Sequence, residues 1–159
     1  MKADHKTGAE VMKSLEGFFK AYAGRDMKGV LEHLVPDDDL TVIGTGEDEK
    51  RIGLEAVKAQ IERDWEQAED ISVELGRHSV SGGGPSSKEE NVAWVAADCF
   101  YHARVGGQKV EMPCRMTAVL EKRKGKWLIA QSHLSMPYPE QEKGESFPRV
   151  EAQEELFFD

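Results

Sequence analysis

Apolar residues Val11, Leu15, Phe18, Phe19 and Tyr22 recur at offsets 0, 4, 7, 8 and 11, which is the stripe of a helix over residues 9–23. Gly24 closes that helix, and Asp26 is placed to cap a second one carrying Met27, Val30, Leu31 and Leu34. Pro36 stops the second helix because it lacks the amide hydrogen that a further turn needs. Residues 40–45 are β-branched and read as a short strand. The polar turn 46–49 follows, and residues 50–52 return as a second short strand. Gly53 opens a third helix with Leu54, Val57, Ile61 and Trp65 along one side. Beyond residue 70 the period changes to two. Strands are predicted over 71–80, 91–105, 108–122 and 127–136, with a glycine- and serine-rich loop at 81–87 and tight turns at Gly106-Gly107 and Lys124-Gly125. The resulting class is α+β, with three helices from the N-terminal half segregated onto one face of an antiparallel sheet.

Gly106-Gly107 fixes the register of the long hairpin if it forms the two-residue turn. Asp98 then lies opposite Arg115, Cys99 opposite Cys114, His102 opposite Glu111 and Ala96 opposite Thr117. One face carries Trp94, Ala96, Asp98, Phe100, His102, Arg115, Thr117 and Val119. The other carries Val95, Ala97, Cys99, Tyr101, Met112, Cys114, Met116, Ala118 and Leu120, with no charge at all. A charge-free face is buried against helices or against another subunit. The mixed face suits a pocket wall, with aromatic bulk and a few converging polar groups. Strict alternation along the last strand puts Trp127, Ile129, Gln131, His133 and Ser135 together on a face that turns polar toward its end.

The bulk composition narrows the classes of function. The chain has 159 residues, enough for one domain with a real core, and 39% are hydrophobic against 32% charged. Its net charge of −9 argues against nonspecific nucleic-acid or anionic-membrane binding. The basic cluster at 122–126 reads as a solvated turn. No apolar run is long enough to span a bilayer, and the first residues open no signal-peptide core, so the expected location is the cytoplasm. Cys99 and Cys114 are then expected as free thiols packed as small core residues. No cysteine or histidine spacing suits zinc, and neither a calcium loop, a phosphate loop nor a nucleophile elbow is present; no metal and no cofactor are expected. The domain is expected over residues 1–137, followed by an acidic, proline-containing tail over 138–159.

His133 is the leading candidate for chemistry, as a neutral imidazole that accepts a proton or orients a carbonyl beside Gln131 and Ser135. Arg115 and Asp98 form a candidate ligand anchor. Arginine next to Asp98 keeps that carboxylate ionised, which suits binding better than proton transfer. Trp94, Phe100 and Trp65 would supply apolar wall.

The chain resembles the SnoaL-like branch of the nuclear transport factor 2-like (cystatin-like α+β) superfamily. The resemblance covers roughly residues 8–137. It rests on Leu-Thr-Val-Ile-Gly-Thr-Gly at 40–46 with Gly53 opening a helix, on Arg-Met-Thr-Ala-Val-Leu-Glu-Lys at 115–122, and on Gly-Lys-Trp-Leu-Ile at 125–129 followed by His-Leu-Ser-Met-Pro at 133–137. It implies a curved sheet wrapped around helices into an open-mouthed cone. It also implies a homodimer through the outer sheet face, to which the charge-free set including Cys99, Tyr101, Met112, Cys114 and Met116 would belong. The mixed face would then look into the cone. Fold does not fix function. Three readings follow: a dimeric binder of a small anionic or carbonyl-bearing molecule, a lyase, isomerase or cyclase with His133 as general base, and an oligomerisation module like the calcium/calmodulin-dependent kinase association domain. Ketosteroid isomerases in the superfamily use a tyrosine and two carboxylic acids inside the cone, one kept neutral; this chain offers Tyr22 near the end of its first helix, but departs from that pattern in having Arg115 beside Asp98.

Overall fold

A computed structural model describes residues 1–82 and 91–148. Most of the predicted loop at 81–87, and the apolar run at 156–158, lie outside the described residues. Helix α1 spans His5–Ala23, α2 Met27–Leu31 and α3 Leu54–Gln67. Strands are β1 Thr41–Ile43, β2 Lys50–Ile52, β3 Asp70–Gly82, β4 Val92–Val105, β5 Gln108–Arg123 and β6 Lys126–Ser135. They form one mixed sheet in the order β2-β1-β6-β5-β4-β3. Every neighbouring pair is antiparallel except β1 and β6. The sheet is open, with β2 and β3 at its edges. This is the α+β class expected from the sequence.

Local chemistry accounts for each element. Asp4 caps α1 by accepting a hydrogen bond from the Thr7 amide at 2.7 Å. Asp26 does the same for α2 from the Gly29 amide at 3.0 Å. That second helix ends earlier than predicted. Leu34 is drawn out of it into a parallel bridge with Ile129, sealed by the Val35 amide on the Ile129 carbonyl at 3.0 Å. Gly106 and Gly107 both have positive φ, as a two-residue turn of right-handed twist demands, and the hairpin register is the one derived from them. Gly53 has φ +85° and ψ 154° at the start of α3, a conformation open to few other residues.

α1 crosses the concave side of the sheet and buries Val11, Leu15 and Phe19 against it, together with Val95, Cys99 and Leu120 from the hairpin. The hydroxyl of Ser14 donates to the Trp127 carbonyl at 2.6 Å, and the Trp127 indole donates to Glu10 at 3.3 Å, tying α1 to β6. Arg25, at the corner between α1 and α2, donates to the carbonyls of Trp65, Ala68 and Glu69 and so fixes the end of α3.

Two features of the sheet reverse sequence-based expectations. First, the charge-free hairpin face is the concave one. Cys99 is 0% and Met116 3% exposed, and both belong to the core under α1. The outer face is the mixed one, where Trp94 and Phe100 are each 42% exposed. Helix α1 is apolar along the stripe that needs covering, so the hairpin turns toward it the side that loses nothing by leaving water. Second, strict alternation fails in β6. Val119 pairs with Gln131, but Leu120 pairs with Ile129, which leaves Ala130 as an extra residue. Before this bulge Trp127 and Ile129 point inward; after it Ser132 and Leu134 do. Gln131 and His133 are exposed on the other side.

Candidate functional site

Between the concave sheet and helices α1 and α3, side chains leave a cavity of about 340 Å³. That is near the small end of the range for small-molecule pockets. Phe18, Phe19, Ile61, Met112, Met116 and Leu134 make its apolar wall. Its polar wall is built from Tyr22 on α1, Gln60 and Asp64 on α3, Arg51 on β2 and Glu49 in the turn before it.

These polar groups are joined. The Tyr22 hydroxyl donates to Asp64 Oδ2 at 2.9 Å, and Gln60 Nε2 donates to Asp64 Oδ1 at 2.8 Å. Arg51 Nε donates to Gln60 Oε1 at 2.9 Å, which fixes the orientation of the amide. Glu49 accepts from the Gly46 amide at 2.9 Å, so it caps its turn as the sequence suggests. Its other oxygen accepts from Arg63 at 3.1 Å and from Gln60 at 3.4 Å.

Burial dominates the electrostatics. It raises the Asp64 carboxyl above the ordinary aspartate value, against the hydrogen bonds from Gln60 and Tyr22 that lower it. Burial, with Asp64 nearby, drives the Tyr22 phenol far above its usual range. Tyr101 faces this cluster from β4 and lines the cavity, packed edge-on against Phe19 with ring centroids 6.3 Å apart. Burial raises its phenol as well. Its hydroxyl has no hydrogen-bond partner among the described residues. Burial also pushes the Cys99 thiol up to about 12 and raises that of Cys114.

The residues singled out from sequence lie elsewhere, and this is a correction of their placement. His133, Gln131 and Ser135 are on the outer face of β6 because the bulge at Ala130 shifts their parity. Trp94, Asp98, Phe100 and Arg115 are on the outer face of the hairpin. Asp98 and Arg115 are directly opposite, as derived, yet they do not form an ion pair. Arg77 Nε lies 3.9 Å from Asp98, and Arg115 donates to the Met136 carbonyl at 3.2 Å. Trp65 packs on Tyr22, with centroids 6.3 Å apart, and donates to its carbonyl at 3.0 Å; it stands behind the cavity wall and does not line it. Conversely, Tyr101, Met112, Cys114 and Met116, expected in an outer interface, line the cavity, and Cys99 lies fully buried beside them.

Sequence reasoning passed over Gln60 and Asp64. The signal was present: they sit three residues after Val57 and Ile61, so two polar side chains interrupt the buried stripe of α3. Tyr101 was visible only as apolar bulk, and Tyr22 stood out from its helix stripe only through the isomerase resemblance. Among the described residues no three histidine, cysteine, aspartate or glutamate side chains are grouped to hold a metal ion. Nor is any helix long and apolar enough to cross a membrane.

The sequence model of the SnoaL-like domain matches residues 11–139, which takes in every helix and strand of the sheet apart from the first turns of α1. The chain belongs to the SnoaL-like domain family. No curated protein matches this SnoaL-like chain by sequence. Solved structures share its nuclear transport factor 2-like, cystatin-like fold. A candidate dehydratase of the NTF2-like family from Streptomyces avermitilis superposes with TM-score 0.73 at 16% identity, covering 85% of this chain and 99% of the other. A candidate aromatic ring hydroxylase from Novosphingobium aromaticivorans gives TM-score 0.74 at 11% identity, over 87% and 94% of the two chains. A candidate calcium/calmodulin-dependent protein kinase II association domain from Xanthomonas campestris gives 0.69 at 21% identity, over 87% and 91%. At such identities the likeness concerns the SnoaL-like fold alone.

Proposed function

We propose that this SnoaL-like domain binds a small, mostly apolar molecule whose carbonyl or hydroxyl oxygen meets Tyr101 and the Tyr22–Asp64 pair. The observation that carries this reading is the unpartnered Tyr101 hydroxyl in a cavity wall. That hydroxyl is engaged by no protein group among the described residues and opens into the cavity, where an occupant can supply its partner. The Asp64–Gln60–Arg51 chain keeps the polar wall rigid before any ligand arrives, which lowers the entropic cost of binding. Carboxyl groups at this wall favour a neutral, carbonyl-bearing ligand over an anion. A thermal-shift screen of uncharged aromatic and alicyclic ketones, phenols and lactones tests the reading. Hits are expected to bind about tenfold more weakly to Tyr101→Phe, in line with one lost hydrogen bond. Equal affinity in that variant for every hit overturns the assignment.

A second reading is favoured by one specific observation, the raised Asp64 carboxyl held by a phenol. Burial tunes a carboxyl toward the working pH of a general acid or base, and Tyr22 could hold a substrate oxygen in place. The reaction class is then a lyase or isomerase acting on a carbonyl compound, with Asp64 in the role that sequence reasoning gave to His133. The name of the dehydratase neighbour is compatible with it.

Self-association belongs to the same proposal, through the outer face and not through the cysteine–methionine set. Trp94 and Phe100 are exposed on strands whose other face is already buried, and charges of both signs surround them, including Asp98, Arg115 and Glu111. Such a patch can meet its own copy across a two-fold axis. Light-scattering mass is expected to be that of a dimer, and of a monomer for Trp94→Glu with Phe100→Glu. A monomeric parent protein rules this interface out, and a large ring would instead align the chain with the association-domain neighbour.

A further inference from the structure

We propose that Met112, Cys114 and Met116 form a binding site for a monovalent soft metal ion, copper(I) or silver(I), in the wall of the cavity. The three residues alternate along β5, so their side chains leave the same face of the strand. All three line the cavity, which provides a path to them. Alternate residues on a strand are separated by about 7 Å along the backbone. The unbranched thioether arms of the two methionines can close on the central sulfur from either side. A fourth sulfur lies nearby, since Cys99 is directly opposite Cys114 in the ladder. Cys114 in turn lies 3.6 Å from the Met112 carbonyl oxygen.

The donor set selects the ion. Thiolate and thioether sulfur are soft ligands that hold copper(I) and silver(I), whereas magnesium and calcium require oxygen and zinc binds thioethers poorly. No histidine or carboxylate joins the sulfurs in a metal-holding group among the described residues. Charge points the same way. On binding, the Cys114 S–H bond breaks, its proton passes to solvent, and a sulfur–metal bond forms with no change of oxidation state. One thiolate and one monovalent cation make a neutral centre, which an apolar wall tolerates far better than an unbalanced charge. Cys99, across the ladder, stays a thiol and lies outside the metal's own ligands.

The test uses the full chain, reduced and free of metal, under anaerobic conditions. Copper(I) is supplied as its complex with the chelator bathocuproine disulfonate. The protein is expected to withdraw one equivalent and to develop thiolate-to-copper absorption in the near ultraviolet. Cys114→Ser should lose that absorption and weaken binding by on the order of a hundredfold. Met112→Leu and Met116→Leu preserve volume closely and should each weaken it about tenfold. Unfolding without copper identifies variants that remain folded. If Cys114→Ser fails to fold, the double methionine variant carries the test. The proposal falls if the parent protein leaves all copper with the chelator, if Cys114→Ser competes as well as the parent, or if the double methionine variant binds unchanged.

Discussion

Trp127→Ala is expected to destabilise the protein by about 4 kcal/mol, while His133→Ala, on the same strand, is expected to change stability by less than about 0.5 kcal/mol. Simple alternation would put the two side chains on one face and give them similar standing. The bulge at Ala130 separates them. Trp127 is 5% exposed, packs in the core, carries Lys122 over its ring at 5.6 Å and joins α1 through Ser14 and Glu10. Removing it opens a void between α1 and the sheet that cannot fully collapse, so the loss combines transfer and cavity terms. The His133 side chain is exposed and makes no hydrogen bond among the described residues. Urea denaturation of both variants, with m-values compared, gives the result directly. Similar losses for the two would mean that the strand runs without the bulge.

The second large effect concerns Asp64. Asp64→Ala should cost about 3 kcal/mol, because it leaves the Tyr22 hydroxyl and a Gln60 amide hydrogen without their acceptor in a half-buried place. Asp64→Asn keeps one acceptor oxygen and should cost less, and it should also alter the pH profile. Because the folded state raises the Asp64 pKa, it binds this proton more tightly than the unfolded chain does. Stability from this group is therefore fully present below the unfolded value, near 3.9, and is lost as pH rises through the raised folded value. Asp4, Asp37 and Asp48 behave oppositely. Hydrogen bonds, to the Thr7 amide for Asp4 and to arginines for the other two, lower their pKa values, so their contribution is lost as pH falls below about 3.9. Unfolding midpoints between pH 4 and 7 should thus fall less steeply with rising pH in Asp64→Asn than in the parent. Parallel profiles would show that Asp64 carries no raised pKa.

Much of the fold was legible because its signals are local. The α1 stripe, the Gly53 start of α3 and the Gly106-Gly107 turn each depend on a few neighbouring residues, and the turn alone set the pairing of Asp98 with Arg115 and of Cys99 with Cys114. The choice of inner and outer face was not local. It depends on which side of the hairpin α1 covers, and both sides of the hairpin carry enough apolar bulk to be read as either. Trp94 and Phe100 look like cavity wall in a list of residues, yet the charge-free side, with Cys99 and Met116, packs under the helix. The site followed that inversion. Asp64 and Gln60 were hidden for a different reason: polar residues on an α-helix are ordinarily solvated, and only the packing of α3 against the sheet turns these two toward Tyr22.

Ala130 acts as a spacer in the last strand. The ladder to β5 leaves it as one unpaired residue, and the side chains beyond it keep their sides because of that. Deleting it would leave an uninterrupted strand with the Ser132 hydroxyl and the Leu134 isobutyl group still turned inward. Pulling it straight into the ladder would instead bring a carboxamide and an imidazole into the chamber, with helices and hairpin left as they are. One irregular position thus separates two chemically different inner surfaces for the same run of residues.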